Sequence, residues 1–175
     1  MAADLRKARD LALLDAIDAL PREPFEGRVW RVVREGRDPV LGGPSQSRWC
    51  TGEFDVLYTS LDRDGAIAEI HALLSLQPVF PSKMRWECHA LEVKTLKTLR
   101  LADLPTLEKL GVDASAYRQR RYEQTQNIAD AAFFLGFDAV AAPSARWNCH
   151  NLMLFTDRLV PGDIELTSER AAQVD

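Results

Sequence analysis

Short segments with strand character alternate with segments of helical periodicity along most of this 175-residue chain. The order of elements is α-β-loop-β-α-β-β-α-α-β-β, which is typical of an α+β domain with a mixed sheet. No low-complexity segment or fold-scale repeat interrupts it. We therefore predict helices at residues 2–19, 65–76, 105–110 and 115–135, and strands at residues 29–33, 55–60, 86–93, 98–101, 138–142 and 152–155.

The length suits one domain with a short appended helix. Leu5, Leu11 and Ile17 recur at helical spacing near the start of the chain, and Pro21 and Pro24 are expected to end that helix. This helix either packs on its own domain or binds a partner, and a homodimer stays open. We divide the chain into an N-terminal amphipathic helix (residues 1–24), a main domain (residues 25–165) and a C-terminal tail (residues 166–175).

Composition excludes several function classes. The net charge of -4 gives no overall attraction to nucleic acid or to an anionic membrane. No stretch approaches the roughly 20 apolar residues that a membrane span needs, and the first residues lack the apolar core of a secretion signal. Three cysteines are too few for a disulfide framework and fit a reducing compartment. We predict a cytoplasmic protein.

Metal and common cofactor motifs are absent from the sequence. Cys88-His89 and Cys149-His150 are adjacent pairs, and neighbours on a strand point to opposite faces, so each pair offers a metal only one ligand. No Cys-x-x-Cys or His-Glu-x-x-His spacing occurs. Neither a Gly-x-Gly-x-x-Gly nor a Walker motif is present, which excludes ordinary dinucleotide folds and P-loop enzymes. We predict no bound metal.

Arginine occupies an unusual place in the first predicted strand. Arg31 shares a strand face with Val29 and Val33. If that face is buried, the guanidinium needs an anionic partner, either an internal carboxylate or a phosphate-bearing ligand. A second basic cluster, at residues 118–121, fits a solvated face better than a ligand site.

Two further residues could carry chemistry. Glu69 lies in a helix that is apolar nearly all round, where a partly buried carboxylate either stabilises a developing cation or simply belongs to a polar stripe. Tyr58 stands near a strand end, where its ring either stacks on a flat heterocycle or packs in the core.

Two loops contain serine, arginine and tryptophan close together. Residues 36–47 form a loop rich in glycine, proline and serine, which suggests an active-site loop or lid. Ser144 follows the predicted strand at 138–142 and can offer a hydroxyl to a ligand. Residues 44–50 (Pro-Ser-Gln-Ser-Arg-Trp-Cys) are similar to residues 143–149 (Pro-Ser-Ala-Arg-Trp-Asn-Cys), and we interpret this internal similarity as coincidence.

Taken in order, these features resemble a known family, the RES domain. The resemblance covers roughly residues 27–160 and rests on Trp30-Arg31, Ser47-Arg48-Trp49 with Gly52, Val56-Leu57-Tyr58-Thr59-Ser60, Ala66-x-x-Glu69, Gly136-Phe137-Asp138 with Ala142-Pro143-Ser144, and Asn151-Leu152.

The resemblance implies a mixed, split sheet similar to that of ADP-ribosyltransferases of the diphtheria-toxin group. It also implies a toxin of a type II toxin–antitoxin system that consumes NAD⁺ as a substrate, without a metal. The implied partner is an Xre-type antitoxin that covers the active site.

The same resemblance implies roles for six residues. Arg31 and Arg48 would hold the NAD⁺ phosphates, and Tyr58 would stack on the nicotinamide or position it with its ribose. Glu69 would stabilise positive charge on that ribose, as is physically sensible when a glycosidic bond breaks. Ser144 and Asn151 would line the pocket.

Three hypotheses remain open from the sequence. In the first, NAD⁺ is cleaved at the nicotinamide–ribose bond with phosphate or water as acceptor. In the second, the same pocket transfers ADP-ribose to a cellular protein. In the third, the chain is a non-catalytic binding module.

Overall fold

The computed structural model describes residues 7–76, 84–167 and 170–174. It confirms an α+β fold with a mixed sheet and an N-terminal helix. Short 3₁₀ turns lie at Ala114–Ala116 and Thr156–Arg158. The helices are α1 (Leu11–Asp18), α2 (Arg63–Leu74), α3 (Leu104–Lys109) and α4 (Glu123–Phe134), and the strands are β1 (Arg22–Arg34), β2 (Val56–Ser60), β3 (Trp86–Arg100), β4 (Ala139–Pro143), β5 (His150–Phe155), β6 (Ile164–Leu166) and β7 (Ala172–Val174).

The sheet follows the order β1-β2-β5-β4-β3-β6, with β7 also paired to β3. Strand β3 runs antiparallel to β1 along nearly its whole length, so the pairings close into a circuit. Only β3 and β4 run parallel among the described strand pairs. Strands β1 and β2 pair at a single position, Trp30 opposite Ser60. The sheet is split at this narrow junction, and the split creates room for a site.

Two apolar clusters hold the sheet from opposite faces. Leu152 and Leu154 of β5 point to one face and join Val29 and Leu57. Phe155 points to the other face, where it packs edge-on against the stacked rings of Phe54 and Phe133. Because β5 is buried on both faces, it fixes the strands beside it and the loop that precedes it.

The predicted N-terminal helix is too long. Residues 2–6 lie outside the described residues, and α1 begins only at Leu11, because the Asp10 side chain accepts hydrogen bonds from the first amides of the helix. Strand β1 begins at Arg22 and includes Pro24, so the predicted domain boundary at residue 24 falls inside a strand. Helix α1 packs on α4, and Arg9 reaches Asp130 at 2.7 Å.

Three other predicted boundaries are wrong. The strands predicted at 86–93 and 98–101 form one long strand, β3. The segment predicted as a helix at 115–135 consists of a 3₁₀ turn, a loop at 117–122 and then α4. Helix α4 ends before Gly136, whose φ of 82° favours glycine. The predicted tail at 166–175 begins at the last residue of β6 and contains β7, which pairs with β3.

Candidate functional site

A cleft of about 580 Å³ opens at the split between β1 and β2. Helix α2 forms one wall, and the loops around Ser47 and Tyr122 form another. This volume falls in the range of small-molecule sites. Five of the six predicted site residues line the cleft: Arg31, Arg48, Tyr58, Glu69 and Asn151. The sixth, Ser144, lies at the edge of the cleft and contacts Glu69.

The Glu69 carboxylate is held by two neutral donors. Its Oε1 accepts hydrogen bonds from Ser144 Oγ at 2.8 Å and from Asn151 Nδ2 at 2.9 Å. Ser144 Oγ in turn accepts from the backbone N–H groups of Arg146 and Trp147, which directs its own proton towards Glu69. The carboxylate is thus fixed in place, and its Oε2 has no hydrogen bond with any residue the structure describes.

Close packing of α2 on the loop between β4 and β5 makes this arrangement possible. Asp62 caps α2 by accepting from the Gly65 amide at 3.0 Å. A Cβ at Gly65 would lie 2.5 Å from Cys149 Sγ and 2.6 Å from Ser60 Oγ. Only glycine lets the first turn of α2 approach so closely, and Glu69 follows one turn later.

Arg31 lies on a face of β1 that is buried, as Val29 and Val33 beside it show. Burial of this face is the condition under which the guanidinium needs an anionic partner. Its Nη1 donates to the Tyr58 carbonyl at 3.5 Å and its Nη2 to the Leu41 carbonyl at 3.3 Å. Its Nε is buried and has no partner within the described part of the chain. Burial lowers the pKa of Arg31, although the charge of Asp38 opposes this. No described carboxylate pairs with it within 4 Å, so a charged and incompletely satisfied guanidinium faces the cleft.

Arg48 is clamped from three sides. Its Nη1 donates to the Tyr117 carbonyl at 2.6 Å, and Nη1 and Nη2 both reach the Gln119 carbonyl at 3.4 Å. The rings of Tyr117 and Tyr122 lie 4.9 Å and 4.8 Å from its guanidinium carbon. Burial is the largest cause that lowers the pKa of Arg48. Much of its hydrogen-bonding capacity is therefore used within the protein.

Tyr58 contributes its ring and not a titrating hydroxyl. The hydroxyl lies 2.5 Å from Ser47 Oγ and accepts from the Trp49 amide at 2.8 Å. Burial raises the pKa of Tyr58 well above its ordinary value. The residue therefore stays neutral at physiological pH and can offer a surface for stacking while it anchors the loop at 47–49.

The cleft lining includes residues that the sequence analysis did not predict as site residues, among them Arg120, Tyr122 and Arg146. Arg120 belongs to the cluster interpreted as a solvated face. It is exposed, yet it borders the cleft and donates to the Ala72 carbonyl at 3.4 Å. The signal that could have found Arg146 is the similarity between residues 44–50 and 143–149, which was interpreted as coincidence.

Metal-binding clusters and membrane-spanning helices are both absent from the described residues. No group of three or more histidine, cysteine or acidic side chains there is arranged to hold a metal ion. No helix in the same part of the chain is both long and apolar enough to cross a membrane. The three cysteines, Cys50, Cys88 and Cys149, are free thiols.

Comparison with known proteins agrees with this architecture. A chain in the crystal structure of the M. tuberculosis MbcT–MbcA toxin–antitoxin complex superposes with a TM-score of 0.82 at 21% identity, over 95% of this chain and 94% of that one. A search of curated proteins finds no match. The family model of the RES domain matches residues 28–173, which include all six predicted site residues. This chain therefore belongs to the RES domain family.

Proposed function

We propose that this chain is the toxin of a toxin–antitoxin pair and that it cleaves NAD⁺ at the nicotinamide–ribose bond. The observation that carries the proposal is the fixed Glu69 carboxylate in a cleft whose other charged lining residues are all arginines among the residues that the structure describes. Membership of the RES family and the fold shared with a chain of the MbcT–MbcA complex support it.

The charges of the cleft suit a substrate that has a diphosphate and a cationic leaving group. Its described lining residues include four arginines and one carboxylate, whereas the chain as a whole has a net charge of -4. A positive pocket on an acidic protein attracts a small anion, while the acidic surface around the pocket repels large polyanions. The arginines neutralise the phosphates and fix the substrate, which leaves Glu69 to act on the ribose.

Glu69 acts through electrostatics in this proposal. Loss of nicotinamide develops positive charge on the ribose carbon, and a preorganised carboxylate stabilises that charge without having to reorganise. Ser144 and Asn151 bind only Oε1, so Oε2 can accept a hydrogen bond from a ribose hydroxyl. The Tyr58 ring supplies a wall against which the nicotinamide and its ribose are positioned.

The partner in this proposal is an antitoxin of the Xre type that covers the cleft. The fold shared with a chain of a toxin–antitoxin complex supports an antitoxin partner. Co-expression with the antitoxin should abolish NAD⁺ loss in cells, and an antitoxin that leaves NAD⁺ loss unchanged would contradict this part of the proposal.

Product analysis by mass spectrometry tests the function. Purified protein is incubated with NAD⁺, with and without inorganic phosphate, alongside Glu69→Gln and the control Glu108→Gln, whose side chain is exposed on α3. We expect free nicotinamide together with ADP-ribose or its phosphate ester. We also expect a rate at least about 100-fold lower for Glu69→Gln and unchanged for Glu108→Gln. In a cell lysate supplied with labelled NAD⁺, transfer of the label to a protein would instead identify a protein ADP-ribosyltransferase.

A further inference from the structure

Arg146 is placed in the cleft by the same loop that fixes Glu69. Its backbone N–H donates to Ser144 Oγ at 3.1 Å, which orders the loop independently of the Arg146 side chain. That side chain lines the cleft and is half-buried. Its position is therefore set by the backbone of the site and not by a salt bridge.

The Arg146 guanidinium has no partner within the described part of the chain, neither a hydrogen-bond acceptor nor a carboxylate within 4 Å. Other described arginines without such contacts, including Arg34, Arg37 and Arg118, are exposed and can be solvated by water. A half-buried guanidinium is less well solvated, so its unused donors favour an incoming anion.

A second cation lies nearby. Arg48 and Arg146 line the same cleft, and after the dominant effect of burial the charge of Arg146 is a further cause that lowers the pKa of Arg48, as expected for two guanidinium groups that repel each other. Arg48 has already committed Nη1 and Nη2 to backbone carbonyls. Arg146 therefore has the larger free hydrogen-bonding capacity, and an anion between the two groups would relieve their repulsion.

We propose that Arg146 binds a phosphate group in the cleft, either in the diphosphate of the dinucleotide or as free inorganic phosphate. The inference rests on the proposed function, which supplies a phosphate-bearing substrate. Guanidinium and phosphate match in geometry, because two parallel N–H donors meet two phosphate oxygens. Arg146 binds the substrate in this account, and Glu69 keeps the chemical role.

Equilibrium binding by calorimetry tests the proposal with three probes: ADP-ribose, inorganic phosphate and adenosine, which has no phosphate. The variants are Arg146→Ala, Arg146→Lys and the control Arg118→Ala, which removes an exposed arginine outside the cleft. We expect Arg146→Ala to weaken binding of a phosphate-bearing probe by about tenfold or more. Arg146→Lys should fall between it and wild type, since lysine keeps the charge but not the paired donors.

The probes also separate the two sources of phosphate. Weakened ADP-ribose binding assigns Arg146 to the dinucleotide, whereas weakened binding of inorganic phosphate alone assigns it to the free ion. Adenosine binding should stay unchanged in every variant. Wild-type affinity of folded Arg146→Ala for both ADP-ribose and phosphate would overturn the inference, as would an equal loss in Arg118→Ala.

The inference and the proposed function can fail separately. A wild-type protein that binds ADP-ribose through Arg146 but leaves NAD⁺ intact contradicts the proposed function alone. A protein that cleaves NAD⁺ while Arg146→Ala binds both probes normally contradicts the role of Arg146 alone.

Discussion

Residues 44–50 and residues 143–149 contain serine, arginine and tryptophan in the same order, but the structure places these side chains in different surroundings. Trp49 is 2% exposed and belongs to the main apolar cluster, whereas Trp147 is 48% exposed. Arg48 is clamped by carbonyls and two tyrosine rings, whereas the Arg146 side chain has no contact of this kind with the described residues. Both segments border the cleft, but Trp49 anchors the first to the core, whereas in the second Trp147 is exposed and the Arg146 side chain lines the cleft.

Tyr117 connects the two segments. Its carbonyl and ring hold Arg48, and its hydroxyl donates to the Pro143 carbonyl at 2.6 Å. The comparison shows that one local pattern can serve either stability or binding, according to what the fold packs against it. Substitution of Trp49 in the first segment should therefore reduce stability, and substitution of Ser144 in the second should reduce activity.

The largest expected effect is on stability. Trp49→Ala should lower the free energy of unfolding by about 3–5 kcal/mol, because it removes a fully buried aromatic side chain from the core. Urea unfolding followed by circular dichroism measures the change. A loss below about 1 kcal/mol would show that the first segment is not an anchor.

A pH-dependent loss of stability should come from Tyr117. Burial raises the pKa of Tyr117 to about 12, whereas tyrosine in an unfolded chain ionises near pH 10. As the pH rises above about 10 the unfolded state releases its proton first, so stability falls until about pH 12, by up to about 2–3 kcal/mol. Urea unfolding at pH 8, 10 and 11 should show a smaller decline in Tyr117→Phe than in wild type. An identical decline would contradict this assignment.

An effect on activity without an effect on folding is expected from the second segment. Ser144→Ala should reduce kcat/KM for NAD⁺ by about ten- to 100-fold, since the Glu69 carboxylate loses one of its two donors. Ser45→Ala, in the first segment, removes a hydroxyl that bonds only Ser47 Oγ at 3.1 Å and should be nearly neutral. Steady-state kinetics compares the two, and equal losses would erase the distinction between the segments.

The smallest expected effect is that of Trp147→Ala. Its indole is about half exposed, so its removal should change the free energy of unfolding by no more than about 0.5 kcal/mol. The same urea assay that reports on Trp49→Ala measures this change. A loss as large as that of Trp49→Ala would show that Trp147 is also anchored in the core.

The sequence predicted much of the fold, because short strands and capped helices are encoded locally. Asp62 before α2 and Gly136 after α4 are such local signals. The break in the helix predicted at 115–135 was not visible. No proline or glycine interrupts that segment, and it is the Arg48 side chain, distant in sequence, that binds the carbonyls of the loop at 117–119.

The candidate site was predicted in part. Arg31 and Glu69 were noticeable because each is a charged residue in an apolar segment, and Tyr58 was found through its place at a strand end. Arg120 and Arg146 lie on loops that approach the cleft only after β4, β5 and α4 have packed. No periodicity in the sequence reports where such loops go.

The most direct test of the account is the fate of NAD⁺ with purified wild-type protein and with Glu69→Gln. The account predicts that wild type releases nicotinamide at a rate that Glu69→Gln lowers by about 100-fold or more, while the two proteins unfold at similar urea concentrations. If nicotinamide release is absent in wild type, with and without phosphate, or is equal in both folded proteins, the central claim is contradicted.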